Sequence, residues 1–181
     1  MSVVPRLGRR WITYWHWSLA VPLVVVGLTA VGPTAASIPV FYLAVVSPHL
    51  ARVDLRSRRL PNELTVPGIL IGVLTLGVQS LSAGRVETVP LLAGAGYAAI
   101  LAIPALTGGM GLGDVKLAAA LGLGAWSPIV AVLSPAIAFL AGGIASLIVL
   151  LARGRGARIA FGPYLLGGFW AAVGLVAFWR L

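Results

Sequence analysis

LAAALGLGAWSPIVAVLSPAIAFLAGGIASLIVLL, residues 117 to 151, contains no charged side chain. As one helix it is roughly 50 Å long at 1.5 Å per residue, against a hydrocarbon core of about 30 Å. It therefore has to be broken. Trp126-Ser127-Pro128 is the break, because proline lacks the amide that continues a helix and pushes the residue before it out of helical geometry. The reading is a short helix over about 114–126 and a full one over about 129–151. Apolar runs at about 17–31, 35–50, 64–81 and 89–106 precede this stretch, and one at about 161–179 follows it. The predicted fold class is an all-α, polytopic transmembrane helical bundle of about seven segments.

Composition agrees. Of 181 residues, 60% are hydrophobic and 9% charged, with a mean hydropathy of +1.03. Soluble domains are about a quarter charged, and disordered chains have low hydrophobicity, so both classes are excluded. The 23 Gly and 12 Pro show no Gly-X-Y period; both residues are tolerated in membrane helices. There is no cysteine, which removes disulfides, thiol nucleophiles, Cys-ligated zinc and iron–sulfur clusters. His16 and His49 have no metal-ligand spacing. No metal and no cofactor are expected.

A net charge of +9 raises the question of nucleic acid. The basic residues form no long patch with interleaved aromatics, however, so no nucleic-acid partner is expected. They sit in short clusters between apolar runs, where topology signals belong. With seven segments and a cytoplasmic N-terminus, the inside positions are Arg6, Arg9, Arg10, Arg52, Arg56, Arg58, Arg59, Lys116, Arg153, Arg155 and Arg158. Only Arg85 and Arg180 fall outside, so eleven of the thirteen basic residues obey the positive-inside rule. The map requires the short segment 114–126 to cross; otherwise the Arg153–Arg158 cluster faces outside. The chain reads as one domain over 1–181, with a basic N-terminus and first helix in 1–34. That region has two readings. Pro33-Thr34-Ala35-Ala36 after an apolar run resembles a signal-peptide cleavage site, while Trp11, Trp15 and Trp17 resemble an interfacial aromatic belt.

Only four acids exist: Asp54, Glu63, Glu87 and Asp114. Under this map Asp54, after the second helix, and Asp114, opening the fifth, reach the same face. Glu63 shares that face and Glu87 does not. Each aspartate has a modest reading of its own. Asp114 can be a helix N-cap after the glycine-rich turn containing Gly111 and Gly113, which remove bulk and free the backbone. Asp54 can merely balance Arg52 and Arg56. Pro61-Asn62 reads as a turn, and Lys116 as a headgroup anchor in preference to an orienter of Asp114. Together the two acids offer more. Two carboxyl groups a few ångströms apart cannot both ionise easily and share a proton. One then takes a proton from water while the other protonates a carbonyl oxygen, with no covalent intermediate. With no Cys, and no acid within obvious reach of either His, this pair is the only strong candidate for hydrolysis.

The residues around both acids resemble a known family. Gly111-Leu112-Gly113-Asp114-Val115-Lys116-Leu117 resembles the Gly-x-Gly-Asp signature of type IV prepilin peptidases. Asp54-Leu55-Arg56 through Arg59-Leu60-Pro61-Asn62 resembles that family's other aspartate motif, and Phe161-Gly162-Pro163-Tyr164-Leu165 a third pattern. The similarity covers roughly 45–175. Presenilin-like proteases share Gly-x-Gly-Asp but pair it with a Tyr-Asp motif that is missing here. The resemblance implies a membrane aspartyl endopeptidase of the bacterial cytoplasmic membrane that cuts the basic leader from a prepilin or pseudopilin. Asp54 and Asp114 match its catalytic aspartates, with Gly111, Gly113, Lys116, Pro61 and Asn62 supporting the motifs. Members that also methylate the new N-terminus carry a Cys-x-x-Cys domain; without cysteine, methyl transfer is not expected. The partners implied are the prepilin substrate and membrane lipid. Because the enzyme face is itself basic, attraction for the leader falls to Asp54, Asp114, Glu63 or anionic lipid. Two other functions compete: a proton- or cation-coupled transporter using the same pair, and a scaffold in which both aspartates are caps. Oligomeric state, the particular prepilin and the protonated aspartate are not readable from the sequence.

Overall fold

The computed structural model describes residues 15–153 and 159–181, with backbone alone for 15–17 and 153. Arg6, Arg9, Arg10, Trp11, Arg155 and Arg158, and the side chains of Trp15, Trp17 and Arg153, lie outside the described residues. Among the described residues there are seven helices and no strand: α1 (Trp15–Val31), α2 (Ser37–Ser57), α3 (Asn62–Ala83), α4 (Thr88–Leu106), α5 (Leu112–Leu123), α6 (Pro128–Arg153) and α7 (Gly162–Phe178). Four of them, α2, α3, α4 and α6, are long and apolar enough to cross a membrane. Their outward faces expose Leu70, Val73, Leu74, Ile100, Ile103, Val132, Leu140 and Ile148. That belt suits lipid and not water, so the chain is a multi-pass membrane protein.

The break in the charge-free run falls where expected, with α6 starting at Pro128. Helix ends differ from the expectation in one place that matters. The second helix was expected to stop near residue 50; α2 continues to Ser57 and carries Asp54 on its last turns. It ends at Arg58, whose φ of 51° is left-handed and whose amide returns to the Asp54 carbonyl at 2.8 Å. Pro61 then caps α3 in extended geometry, as a residue fixed near φ −65° can.

In lipid, helices associate through close packing and interhelical hydrogen bonds, so small residues mark their contacts. The core is built around α5, which packs between α3 and α4 and also meets α7. Leu117, Ala118, Ala120 and Leu121 of α5 are buried. Leu123 sits in notches on both neighbours: a Cβ on Gly72 of α3 meets its Cβ at 2.6 Å, and one on Gly94 of α4 meets its Cγ at 2.8 Å. At twelve residues α5 is about 18 Å long, yet it carries the chain from one end of the bundle to the other. Its start lies against Leu60, and the segment after it lines a cavity of about 200 Å³ with Val31, Val176 and Arg180.

The α4–α6 contact shows how a proline is accommodated. Pro135 has no amide to give the Ala131 carbonyl four residues earlier. Tyr97 supplies the missing donor, its hydroxyl reaching that oxygen at 2.6 Å. Tyr97→Phe is expected to cost about 1 kcal/mol, because it leaves a partly buried acceptor unpaired. Unfolding titrations in mixed micelles check this, and an unchanged midpoint refutes it.

Candidate active site

One end of the bundle gathers four helix termini: the end of α2 and the starts of α3, α5 and α7. Each is brought there by a contact between residues distant in sequence. Gly113 of α5 abuts the segment between α2 and α3, where a Cβ would lie 3.0 Å from Leu60 Cβ and 3.4 Å from its amide nitrogen. Lys116, one turn into α5, donates from Nζ to Asn62 Oδ1 at 2.8 Å. The start of α7 closes on α2 through Gly162, whose amide donates to Asp54 Oδ2 at 2.9 Å.

These contacts place the two aspartates. Asp54 is only 3% exposed, unusual for a lone carboxyl group. Asp114 is half-buried in the first turn of α5 and lies within coulombic range of Asp54. Its Oδ1 is buried and no protein group bonds it. The other two acids stand apart. Glu63 is exposed in the first turn of α3. Glu87 precedes α4 and pairs with Arg85 at 3.5 Å. Among the described residues no three His, Cys, Asp or Glu side chains gather as metal ligands.

Several expectations need correction. Asp114 is not the N-cap of its helix: that position is Gly111. Asp54 is not balanced by Arg52 or Arg56; among the described residues the one ion pair is Arg85–Glu87, and the side chain of Asp54 is met by a backbone amide. The two glycines of the Asp114 motif do not serve through unusual dihedrals. Gly111 has an ordinary φ of −82°, and the left-handed glycine of that loop is Gly108, at 79°. Gly113 matters for space, against Leu60. The ammonium of Lys116 is engaged by Asn62, which ties the two aspartate motifs together. Pro61 caps α3 and Asn62 opens it.

One residue was passed over. Gly162 stood inside the third quoted pattern without a role, yet it makes the hydrogen bond to Asp54. A glycine directly before a proline at the start of a helix was the available signal.

The sequence model of the type IV leader peptidase family matches residues 41–152, which include Asp54 and Asp114. A protein of Xanthomonas campestris pv. campestris named prepilin leader peptidase/N-methyltransferase is 37% identical over 141 residues, 72% of this chain and 46% of that protein. One of Neisseria gonorrhoeae with the same name is 37% identical over 132 residues, 67% of this chain and 43% of that protein. The match thus spans less than half the length of these curated relatives. No solved structure matches significantly.

Proposed function

Because the chain belongs to the type IV leader peptidase family, we propose that it is an aspartyl endopeptidase which removes the basic leader from prepilin-like substrates at the cytoplasmic face of a bacterial inner membrane. What supports the reading is that Asp54, buried, and Asp114, half-buried, share one end of the bundle within coulombic reach of each other. The other two acids do not join them.

The chemistry follows from the pair. Two carboxyl groups in mutual range hold one proton more readily than none. The ionised partner draws a proton from a water molecule as that water attacks the scissile carbonyl carbon. The protonated partner gives its proton to the carbonyl oxygen, producing a neutral tetrahedral diol. Proton return to the amide nitrogen then lets the C–N bond break, and both carboxyl groups regain their starting states. The chain's own contribution is orientation: Gly162 bonds Asp54, and the Lys116–Asn62 bond with the Gly113–Leu60 contact holds the start of α5 against the segment following Asp54.

Charge supports the orientation. Arg52, Arg56, Arg58, Arg59 and Lys116 share the end that carries the aspartates, while Arg180 lies at the other end, beside the cavity. With the positive-inside rule, the aspartates fall at the inner surface, the depth of a scissile bond between a basic leader and an apolar helix. Exposed Glu63 and anionic lipid supply the attraction for the leader. Residues 1–181 act in this proposal as one peptidase unit. Methyl transfer is left out of it, since the chain has no cysteine.

Co-expression with prepilins followed by mass spectrometry tests the function. The expected result is a substrate shortened by its leader. Full-length substrate throughout, with substrate-dependent flux in liposomes, favours the transporter instead.

A further inference from the structure

We infer that Gly162 is the positioning residue of the site: its amide holds the Asp54 carboxyl group in its reacting orientation, and its missing Cβ makes the room that group occupies. The inference rests on the reading of Asp54 as a reacting group.

The sequence Phe161-Gly162-Pro163 delivers one donor at one spot. The first amides of a helix have no acceptor within it. Pro163 brings no N–H. The amides of Tyr164 and Leu165 turn back to the Phe161 carbonyl at 3.0 and 3.2 Å. The N–H of Gly162 has no acceptor within α7, and it is spent on Asp54 Oδ2 at 2.9 Å in a buried bond. The residue ahead of it is fixed: Phe161 is buried, with its ring 5.7 Å from that of Phe139 and 6.3 Å from that of Tyr164. The amide is thus aimed by packing.

Space makes the same point independently. A Cβ on Gly162 would lie 2.8 Å from Asp54 Oδ2 and 3.2 Å from its Cγ. Any other L-residue except proline keeps the N–H here but drives its acceptor away. An aspartate side chain left unheld samples several rotamers. Pinning Oδ2 selects one of them and leaves Oδ1 for water. Misplacing a reacting group by about 1 Å costs on the order of 100-fold in rate.

The test uses the full chain, purified, with a synthetic peptide carrying a basic leader and an apolar helix. Gly162→Ala is expected to lower kcat about 10- to 100-fold with KM within about twofold, since in the proposed function exposed Glu63 and anionic lipid attract the leader and Asp54, only 3% exposed, does not. Gly167→Ala, on the same helix but with nothing within 4 Å of its Cβ, is expected to cleave at the wild-type rate. Wild-type kcat in Gly162→Ala, or a loss confined to KM, overturns the inference. Hydrogen exchange gives a second reading that needs neither that variant nor any substrate. The Gly162 amide should be protected in the wild type and exchange at least about tenfold faster in Asp54→Ala, with the middle of α7 unchanged. Equal exchange in the two proteins overturns the inference. Failure of the peptidase reading is told apart because it shows as wild-type chain that leaves the peptide uncut, whatever the exchange result.

Discussion

Asp54→Asn and Asp114→Asn are each expected to abolish leader removal, by about three orders of magnitude or more, while the protein still inserts and folds. Positioned proton transfer contributes about 10²–10⁴-fold per group, and here the two groups work on one water. Asparagine keeps the volume of aspartate but can neither accept the water's proton nor deliver one to the carbonyl oxygen. The geometry survives the change. At position 54 the amide oxygen can still receive the Gly162 N–H, so α7 has no reason to move. At position 114 the Oδ1 that no protein group bonds is replaced without breaking a contact. Groups that act as a unit are not additive, so the double variant should be no slower than either single one. N-terminal mass spectrometry of co-expressed substrate reads all three. Cleavage retained in either single variant ends the assignment of the pair, and silence of both would leave the two aspartates with a structural role alone.

The largest expected loss of stability comes from Gly122→Ala. Its Cβ would lie 2.5 Å from the carbonyl carbon and oxygen of Ala93 and 2.6 Å from Gly94 Cα. These are backbone atoms of α4, which cannot rotate away as a side chain can. The helices must separate, and α5 is held on its other side by α3, with Leu123 already seated against Gly72. Overpacking of this kind costs about 1–3 kcal/mol and occasionally more, and the upper part of that range is expected here. Gly77→Ala and Gly96→Ala are the controls. Their Cβ atoms meet nothing within 4 Å, and alanine is favoured over glycine inside a helix by roughly 0.5–1 kcal/mol, so they should match or exceed the parent. Unfolding in denaturing detergent measures all three. A Gly122→Ala protein as stable as these controls contradicts the close α4–α5 approach.

The bundle was legible because hydropathy and proline speak directly to it. A charge-free stretch too long for one crossing has to turn, and Ser127-Pro128 is where it turns. Helix ends were less legible for a definite reason. Hydropathy reports where a chain meets lipid, whereas the backbone bonds of α2 continue through Val53-Asp54-Leu55-Arg56, which are adequate helix formers. Thus Asp54 was expected beyond its helix and lies on it. The two aspartates stood out through scarcity and their flanking motifs. Their contacts did not. Lys116 meets Asn62 across 54 positions and Gly162 meets Asp54 across 108. The second of these is made by a main-chain amide, which every residue but proline carries and which leaves no side-chain signature.

That last separation bears on biosynthesis. Asp54 leaves the ribosome 108 residues before the amide that grips it, a delay of about 5–20 s at ordinary elongation rates. The grip arrives only with the closing helix, so under the proposed function the carboxyl group of Asp54 is held in its reacting orientation late in maturation.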